Sequence, residues 1–254
     1  MSKIVSITNQ KGGVGKTTTT VNLASCLAKA DKRVLLIDMD PQANATSGIG
    51  VDKTKVEHSV YEAIIGTHPI ADLILPTEYA NLSLLPSSVH LIGAELELTS
   101  MEEREFKLKK SLAAVRNDYD FLLIDCPPSL GLLTLNSLCA SDSVVIPLQA
   151  EYFALEGLSQ LVQTVDLVKN GLNTALEIEG ILITMCDTRT NLSKQVMSEV
   201  IKYFKNKVYK TVIPRNIKIA ESPSFGKPIV YYDMRSIGAE KYLEFCGEFL
   251  KANS

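Results

Sequence analysis

The stretch TNQKGGVGKTTTT, residues 8–20, holds two lysines on either side of a glycine cluster, followed by four threonines. It continues the apolar, strand-like run KIVSIT (3–8) and leads into a helical pattern that begins near Gly15. A strand, a glycine-rich turn and a helix N-terminus direct backbone N–H groups and the positive end of the helix dipole at one point, which favours phosphate binding. The stretch therefore predicts a phosphate-binding loop.

The residues of this loop have expected roles. Lys16 is expected to reach the β- and γ-phosphates of a nucleotide, and the Thr17 hydroxyl is expected to bind Mg²⁺. The other predicted nucleotide contacts inside the loop are Gly12, Gly13, Val14, Gly15 and Thr18. The ordinary pattern has glycine where this sequence has Gln10, and a second lysine, Lys11, stands at the front of the loop.

Carboxylates follow two further apolar runs. In VLLIDMDPQ (34–42), alternation places Asp38 and Asp40 on the same face at the end of a strand-like segment. FLLIDCPPS (121–129) ends its apolar run in Asp125, the position of a Walker B carboxylate, which holds Mg²⁺ directly or through its water shell. Carboxylates at the ends of buried strands are costly unless they are used. Both segments therefore predict parts of a nucleotide site.

Apolar runs alternate with helical periodicity along the chain. The predicted strands are 3–8, 33–38, 82–86, 120–126, 143–148, 178–184 and 210–214, and the predicted helices include 17–30, 101–117, 155–170, 192–205 and 236–251. This alternation predicts an α/β fold with a doubly wound, mostly parallel sheet flanked by helices, whose ligands bind at the carboxyl ends of the strands.

One domain is expected over residues 1–254, without a helix-turn-helix before the phosphate loop. Residues 50–80 are the least regular part and are expected to hold short helices and loops.

Composition restricts the class of protein. The chain has 254 residues, 46% hydrophobic and 22% charged, with a formal net charge of −3, which is typical of a soluble globular protein. The five cysteines are scattered without a CxxC pair, which predicts reduced thiols in a cytosol. We find no secretory signal pattern and no apolar run of the roughly 20 residues that span a bilayer. A cytoplasmic location is therefore expected.

Positive charge is concentrated in residues 187–227, although the whole chain is acidic. This segment carries nine basic and three acidic side chains, a local net charge of +6. The basic residues are Arg189, Lys194, Lys202, Lys205, Lys207, Lys210, Arg215, Lys218 and Lys227. Such a surface suits sequence-independent contact with DNA phosphates.

Several segments resemble one family. KGGVGKT (11–17) is similar to the deviant Walker A loop of the ParA/MinD group of P-loop ATPases, in which the leading lysine is a defining feature. Four further segments make nearly the whole chain resemble the chromosomal, Soj-type ParA partition ATPases: DPQANATSG (40–48), PLQAEYFALEGL (147–158), RTN (189–191) and VIPRNIKIAESPSFGKPI (212–229).

The resemblance implies a reaction and roles for named residues. The reaction is slow, Mg²⁺-dependent hydrolysis of ATP, with Lys11, Lys16 and Asp40 as the catalytic residues. Lys11 would cross a dimer interface to the phosphates of the partner's nucleotide, and Asp40 would position or activate the attacking water. Asp38 would support the phosphate and join Thr17 and Asp125 as a magnesium-binding residue, while Pro214 and Asn216 would contact adenine.

The resemblance also implies partners. An ATP-sandwich homodimer would bind DNA non-specifically through Arg189, Arg215 and Lys218, and would associate with the nucleoid when ATP is bound. A ParB-like centromere-binding protein would stimulate hydrolysis, and the cycle would segregate chromosome or plasmid origins. Lys218 stands in a segment where relatives often have arginine.

Other ATPases with this loop remain as alternatives. A MinD-like positioning ATPase ends in a basic amphipathic helix on anionic lipid. The terminal stretch GAEKYLEFCGEFLKANS (238–254) has apolar residues at helical spacing, but glutamates occupy much of its polar face, which favours core packing and predicts no membrane partner. An amidoligase-like biosynthetic ATPase would need a second substrate site, for which no motif is found. A nitrogenase-type reductase is disfavoured, because the sequence places no cysteine pair that could ligate a shared cluster.

Overall fold

The strands form one sheet, and the phosphate loop follows the carboxyl end of its first strand. The computed structural model describes residues 2–151, 154–187 and 189–253. Its strands are β1 (Lys3–Ile7), β2 (Val34–Asp38), β3 (Leu75–Pro76), β4 (Leu82–Leu85), β5 (Phe121–Asp125), β6 (Ser143–Gln149), β7 (Glu177–Cys186) and β8 (Val208–Pro214). They lie in the order β3-β4-β2-β5-β1-β6-β7-β8, and each neighbouring pair is parallel except β3–β4. The predicted doubly wound, mostly parallel sheet is confirmed.

Helices cover both faces of this sheet. In the described ranges they are α1 (Lys16–Lys29), α2 (Asn44–Gly48), α3 (Val60–Ile65), α4 (Leu91–Leu98), α5 (Lys107–Leu112), α6 (Leu132–Ala140), α7 (Ala154–Gly171), α8 (Asn191–Phe204), α9 (Ile217–Glu221), α10 (Ile229–Tyr232) and α11 (Ile237–Ala252). Short 3₁₀ segments join several of them, and the region 50–80 holds short helices, as predicted.

Side-chain alternation along the strands divides the core between the two faces. Val5 and Ile7 of β1 pack in the cluster that α1 and α11 complete, whereas Ile4 packs in the cluster beneath α3 to α6. Every residue of β2 and of β5 is buried. Strands that are covered on both faces explain why these runs are apolar almost throughout.

The terminal helix α11 is a core element. Tyr242, Phe245 and Phe249 are at most 1% exposed and belong to the cluster shared with β1 and α1. The apolar face of α11 therefore packs against the sheet. The prediction that the terminal stretch packs in the core is confirmed. Among the residues described, none of the helices combines the length and hydropathy that crossing a bilayer requires.

The predicted continuous helix over 101–117 is wrong. The structure instead has a 3₁₀ turn (Arg104–Phe106), α5 and a second 3₁₀ turn (Arg116–Asp118). Glu103 has a left-handed φ of 49°, and the Asn136 side chain of α6 accepts a hydrogen bond from the Leu108 N–H (3.1 Å). A tertiary contact thus starts a new helix in the middle of a continuous helical pattern.

Two loops meet through a backbone contact between glycines. Gly50, just after α2, and Gly226, before α10, have φ values of 92° and 62°. A Cβ on Gly226 would lie 2.8 Å from the Gly50 Cα, and a Cβ on Gly50 would lie 3.0 Å from the Gly226 carbonyl oxygen. Side chains longer than hydrogen are therefore excluded by both the conformation and the spacing.

Gly226→Ala should destabilise the protein more than Gly66→Ala does. Gly66 also has a left-handed φ (84°), but a Cβ at this position would have no neighbour within 4 Å, so its variant carries only the conformational cost of about 1–2 kcal/mol. Gly226→Ala adds a backbone collision, and urea unfolding of both variants measures the difference. Equal losses of unfolding free energy would show that the two loops separate easily.

Candidate nucleotide and magnesium site

The phosphate loop connects β1 to α1 at the carboxyl edge of the sheet. Gly13 and Gly15 have φ values of 75° and 86°, a conformation that glycine adopts without strain. The Val14 carbonyl accepts a hydrogen bond from the Thr184 hydroxyl (2.7 Å), which anchors the loop to β7, two strands away from β1. Strand β1 pairs with β5 on one side and β6 on the other, so the loop lies at the switch point of the sheet.

Lys16 is a buried cation at the start of α1. Its side chain donates a hydrogen bond from Nζ to the Lys11 carbonyl oxygen (3.2 Å), and the residue is 7% exposed. Burial lowers the pKa of Lys16, while the nearby Asp125 and Asp40 carboxyls act in the opposite direction. A buried ammonium group beside a glycine-rich loop and a helix N-terminus is suited to an anionic ligand.

The two strand-end carboxylates lie in register. Asp38 of β2 is paired with Asp125 of β5, and both are fully buried. Burial and the neighbouring Asp38 raise the pKa of Asp125 to about 8, although hydroxyls of Thr17 and Thr20 oppose the shift. Asp125 Oδ1 accepts from the Thr20 hydroxyl (3.0 Å), whereas Oδ2 has no hydrogen-bond partner in the described chain.

This unpartnered oxygen fits a magnesium site. A buried polar atom without a partner is costly, and a divalent cation would satisfy Oδ2 and stabilise the ionised carboxylate. Thr17, at the first turn of α1, brings a hydroxyl to the same carboxylate. Asp125 and Thr17 are therefore the residues placed to hold Mg²⁺, directly or through water.

Asp38 differs from Asp125 because protein donors already occupy both its oxygens. Oδ2 accepts from the Thr46 N–H (2.8 Å) and hydroxyl (2.7 Å), and Oδ1 accepts from the Asp40 N–H (3.1 Å). Burial raises the pKa of Asp38 to about 6, and the bonds from Thr46 lower it. Both oxygens of Asp38 thus already have protein donors, and its predicted role as a magnesium-binding residue beside Thr17 and Asp125 stays a prediction.

Asp40 lies closer to solvent than Asp38. It is 8% exposed and, among the described residues, accepts one side-chain hydrogen bond, from the Gln42 N–H to Oδ1 (2.9 Å). Its carboxylate thus retains accepting capacity beside the loop, as a residue that positions water requires.

Lys11 is held within its own chain. Its Nζ lies 2.5 Å from Glu151 Oε2, in the segment after β6, and the two side chains are 41% and 46% exposed. The Lys11 N–H donates to the buried Asn9 side chain (3.0 Å). The backbone of Lys11 is therefore fixed, while its ammonium group is at the surface.

The predicted adenine contacts follow β8 at the same edge. Pro214 ends the strand and is half-buried. Asn216 caps α9, since its Oδ1 accepts a hydrogen bond from the Ile219 N–H (3.2 Å). A cavity of about 430 Å³ is lined by Thr17 and Thr18 of α1 and by residues that follow α9, among them Ser222 and Pro223.

The three predicted DNA contacts follow β7 and β8: Arg189 and Arg215 lie just after these strands, and Lys218 lies in α9. Arg189 is exposed to solvent and makes a two-pronged contact with Asp187, with Nε–Oδ1 and Nη2–Oδ2 distances of 2.9 and 2.8 Å. Lys218 Nζ lies 3.1 Å from Glu221 Oε2. Arg215 is exposed between them.

Several residues that shape the site received no role from the sequence. They are Asn9, Thr20, Thr46, Glu151 and Thr184, which bind the phosphate loop, its lysine or one of the carboxylates. Thr46 and Glu151 fall inside segments that resemble the partition ATPases. Glu151 lies 140 residues from Lys11, and Thr46 joins Asp38 to the more distant Ser87, so spacing alone does not reveal these contacts.

The sheet, the glycine-rich loop and the strand-end carboxylates define a P-loop nucleotide-binding protein. A family described as "AAA domain" matches residues 2–178. The sporulation initiation inhibitor protein Soj of Bacillus subtilis is 60% identical over 248 residues, which cover 98% of each chain. Chromosome partitioning protein ParA of Myxococcus xanthus is 53% identical over 254 residues, covering 100% of this chain and 90% of that one. This chain belongs to the Soj/ParA family of chromosome-partitioning ATPases.

A solved structure has the same fold with ligands present. Cobyrinic acid a,c-diamide synthase from Mycobacterium smegmatis, with bound ADP and magnesium, superposes with a TM-score of 0.87 at 36% identity. The match covers 99% of this chain and 95% of that one.

Asp125→Asn should stabilise the metal-free protein at alkaline pH. The pKa of Asp125 is raised from 3.8 to about 8 in the folded protein. Its contribution to the free energy of unfolding is therefore fully present below the unfolded pKa of 3.8 and is lost as the pH rises through the folded pKa of about 8. Asparagine has no such loss, so we expect a Tm at least about 3 °C higher than wild type near pH 8.5. Thermal unfolding from acid to alkaline pH without Mg²⁺ tests this.

Asp166→Asn on the exposed face of α7 is the control for that measurement. If Asp125→Asn follows the same pH profile as wild type and this control, the carboxylate pair does not strain the metal-free fold.

Proposed function

We propose that this partitioning ATPase is an ATP-driven dimerisation switch that binds DNA non-specifically and segregates chromosome or plasmid origins with a ParB-like partner. The observation that carries the proposal is the second lysine of the phosphate loop. Lys11 is fixed by its backbone at the edge of the nucleotide site, yet its ammonium group points to a surface glutamate and not to its own loop. A partner subunit is the natural destination for this charge.

Nucleotide binding would use the loop amides and Lys16 for the phosphates, with Pro214 and Asn216 beside the base. The bound ADP and magnesium of the Mycobacterium smegmatis structure support ATP and Mg²⁺ as the ligands here. Mg²⁺ bound by Thr17 and Asp125 would neutralise phosphate charge. Lys16 would exchange its hydrogen bond to the Lys11 carbonyl for a phosphate oxygen.

Hydrolysis would depend on positioning and on neutralisation of charge. Asp40 would hold the attacking water, and Asp38, held by its donors, would fix the start of the loop that carries Asp40. Lys11 of the second subunit would add positive charge at the transferred phosphate. The basal rate is expected to be slow because that charge arrives only in the dimer.

The ion pair with Glu151 permits this exchange. Exposed ion pairs are typically worth no more than about 1 kcal/mol. Lys11 can therefore leave Glu151 for a phosphate group at small cost. In the monomer the same pair holds the Lys11 ammonium group at the surface beside Glu151.

DNA binding would follow dimerisation. Arg189, Arg215 and Lys218 lie at the carboxyl edge near the nucleotide site, and pairing of two chains at this edge would bring two such sets together. A larger cationic footprint binds DNA more tightly and with a steeper salt dependence. Nucleoid association in the ATP state would result.

The membrane alternative has less support, because the apolar face of α11 lies in the core. The synthase named for the Mycobacterium smegmatis structure is a relative at 36% identity, whereas Soj is at 60%. A partition function is accordingly the stronger proposal.

Lys11→Ala should leave ATP affinity within about twofold of wild type but lower hydrolysis at least about tenfold, because the charge supplied by the partner is lost. Analytical ultracentrifugation with Mg²⁺ and ATP should show less dimer, and phosphate release measures turnover.

Lys169→Ala is the matched control. Lys169 and Glu177 form another exposed pair at 2.5 Å, located at the far end of α7. Wild-type dimerisation and turnover in Lys11→Ala would remove the basis for the switch.

Arg189→Ala combined with Lys218→Ala should weaken ATP-dependent DNA binding and reduce the salt slope of the dimer by about 3.6, the value for about four phosphate contacts, two from each chain. ATP-dependent dimerisation should persist. Fluorescence anisotropy on unrelated DNA duplexes at several salt concentrations, with ATP and with ADP, measures DNA affinity and its salt slope, and ultracentrifugation measures dimerisation.

Arg33→Ala with Lys169→Ala is the control, since these residues form similar exposed ion pairs at the opposite, amino edge of the sheet, with Asp120 and Glu177. An unchanged DNA affinity in the test variant, or an equal loss in the control, would place the DNA surface elsewhere.

A further inference from the structure

Thr46 is a fully buried residue of α2 that holds one of the strand-end carboxylates. Its N–H and its hydroxyl both donate to the same oxygen, Asp38 Oδ2, at 2.8 and 2.7 Å. The hydroxyl oxygen also accepts a hydrogen bond from the Ser87 N–H (3.1 Å), just after β4. One side chain thus joins the carboxyl ends of β2 and β4.

The same residue determines where the loop after β2 runs. Asp38 Oδ1 accepts from the Asp40 N–H (3.1 Å), so the orientation of the Asp38 carboxylate fixes the backbone of Asp40. Thr46 holds the other oxygen of that carboxylate. The segment from Asp38 to Thr46 is therefore a loop closed by hydrogen bonds between its two end residues, and Asp40 lies within it.

We infer that Thr46 is a positioning residue for hydrolysis: its hydroxyl orients Asp38, and Asp38 in turn orients Asp40. This inference rests on the proposed roles of Asp38 and Asp40. Among the described residues, Thr46 makes no hydrogen bond to the phosphate loop or to Asp40 itself. Its removal should therefore affect the rate of turnover and leave the capture of nucleotide by the phosphate loop intact.

The hydroxyl contributes what the backbone alone does not supply. In Thr46→Val the N–H bond to Asp38 remains, but the second donor disappears and the Ser87 N–H loses its acceptor. The carboxylate then keeps only the two backbone N–H bonds, from Thr46 and Asp40, so its orientation and that of Asp40 are less tightly fixed. Thr46→Ser keeps the hydroxyl, which still donates to Asp38 and still accepts from the Ser87 N–H, and only the methyl group is lost.

The chain provides a matched control. Thr211 of β8 donates through its N–H (2.8 Å) and its hydroxyl (2.6 Å) to one oxygen of Glu248, and it is also buried. Thr211→Val removes the same type of interaction on an element that α11 covers. It reports the general cost of removing a buried hydroxyl from a carboxylate that accepts two hydrogen bonds from one threonine.

The test compares Thr46→Val, Thr46→Ser and Thr211→Val by steady-state hydrolysis of Mg²⁺-ATP and by binding of a fluorescent ATP analogue. We expect Thr46→Val to lower kcat about tenfold or more, as the loss of a supporting hydrogen bond does in other sites. Its KM and analogue affinity should stay within about twofold of wild type. Thr46→Ser should recover most of kcat, and Thr211→Val should turn over like wild type.

Three results would overturn the inference: wild-type kcat in Thr46→Val, an equal loss in Thr46→Ser, or an equal loss in Thr211→Val. Asp40→Ala, measured in parallel, separates this inference from the proposed function. If Asp40→Ala hydrolyses ATP normally, the proposed role of Asp40 is wrong. If Asp40→Ala is inactive and Thr46→Val is not, only the role of Thr46 is wrong.

Discussion

The register that places Asp38 of β2 opposite Asp125 of β5 is the constraint on which the rest of the site depends. Two carboxylates at the ends of neighbouring buried strands repel each other and lose their hydration, so each needs donors or a cation. The apolar residues of the same strands fix this register, because a shift by one residue would turn them away from the core. Core packing and site electrostatics are therefore set by a single strand alignment.

The basic side chains that the proposed ligands would bind are paired with atoms of the chain itself. Lys16 is bonded to a carbonyl of its own loop, and Lys11 is paired with Glu151. Arg189 and Lys218 are likewise paired with acidic residues two and three positions away, Asp187 and Glu221. Binding of phosphate groups then replaces one partner with another and changes the free energy only modestly. Such balanced exchanges suit a protein that must cycle between states.

Much of this arrangement was accessible from the sequence because it is local. The phosphate loop, the strand-end aspartates and the parallel sheet each follow from short patterns, and the sheet and its order of strands and helices agree with the structure. The break between residues 101 and 117 was missed because Asn136, from another helix, supplies the cap. Thr46 and Glu151 were missed as contributors for the same reason, since what they bind is set by tertiary proximity and not by spacing.

The glycine contact between the loop after α2 and the loop before α10 has an evolutionary consequence. When two large side chains touch, a gain in size at one position can be balanced by a loss at the other. Gly50 and Gly226 have no side chain to shorten, so neither can compensate for a substitution in its partner. Only a shift of the backbone itself could restore the fit. The two positions should therefore change in related proteins only where the path of both loops has changed.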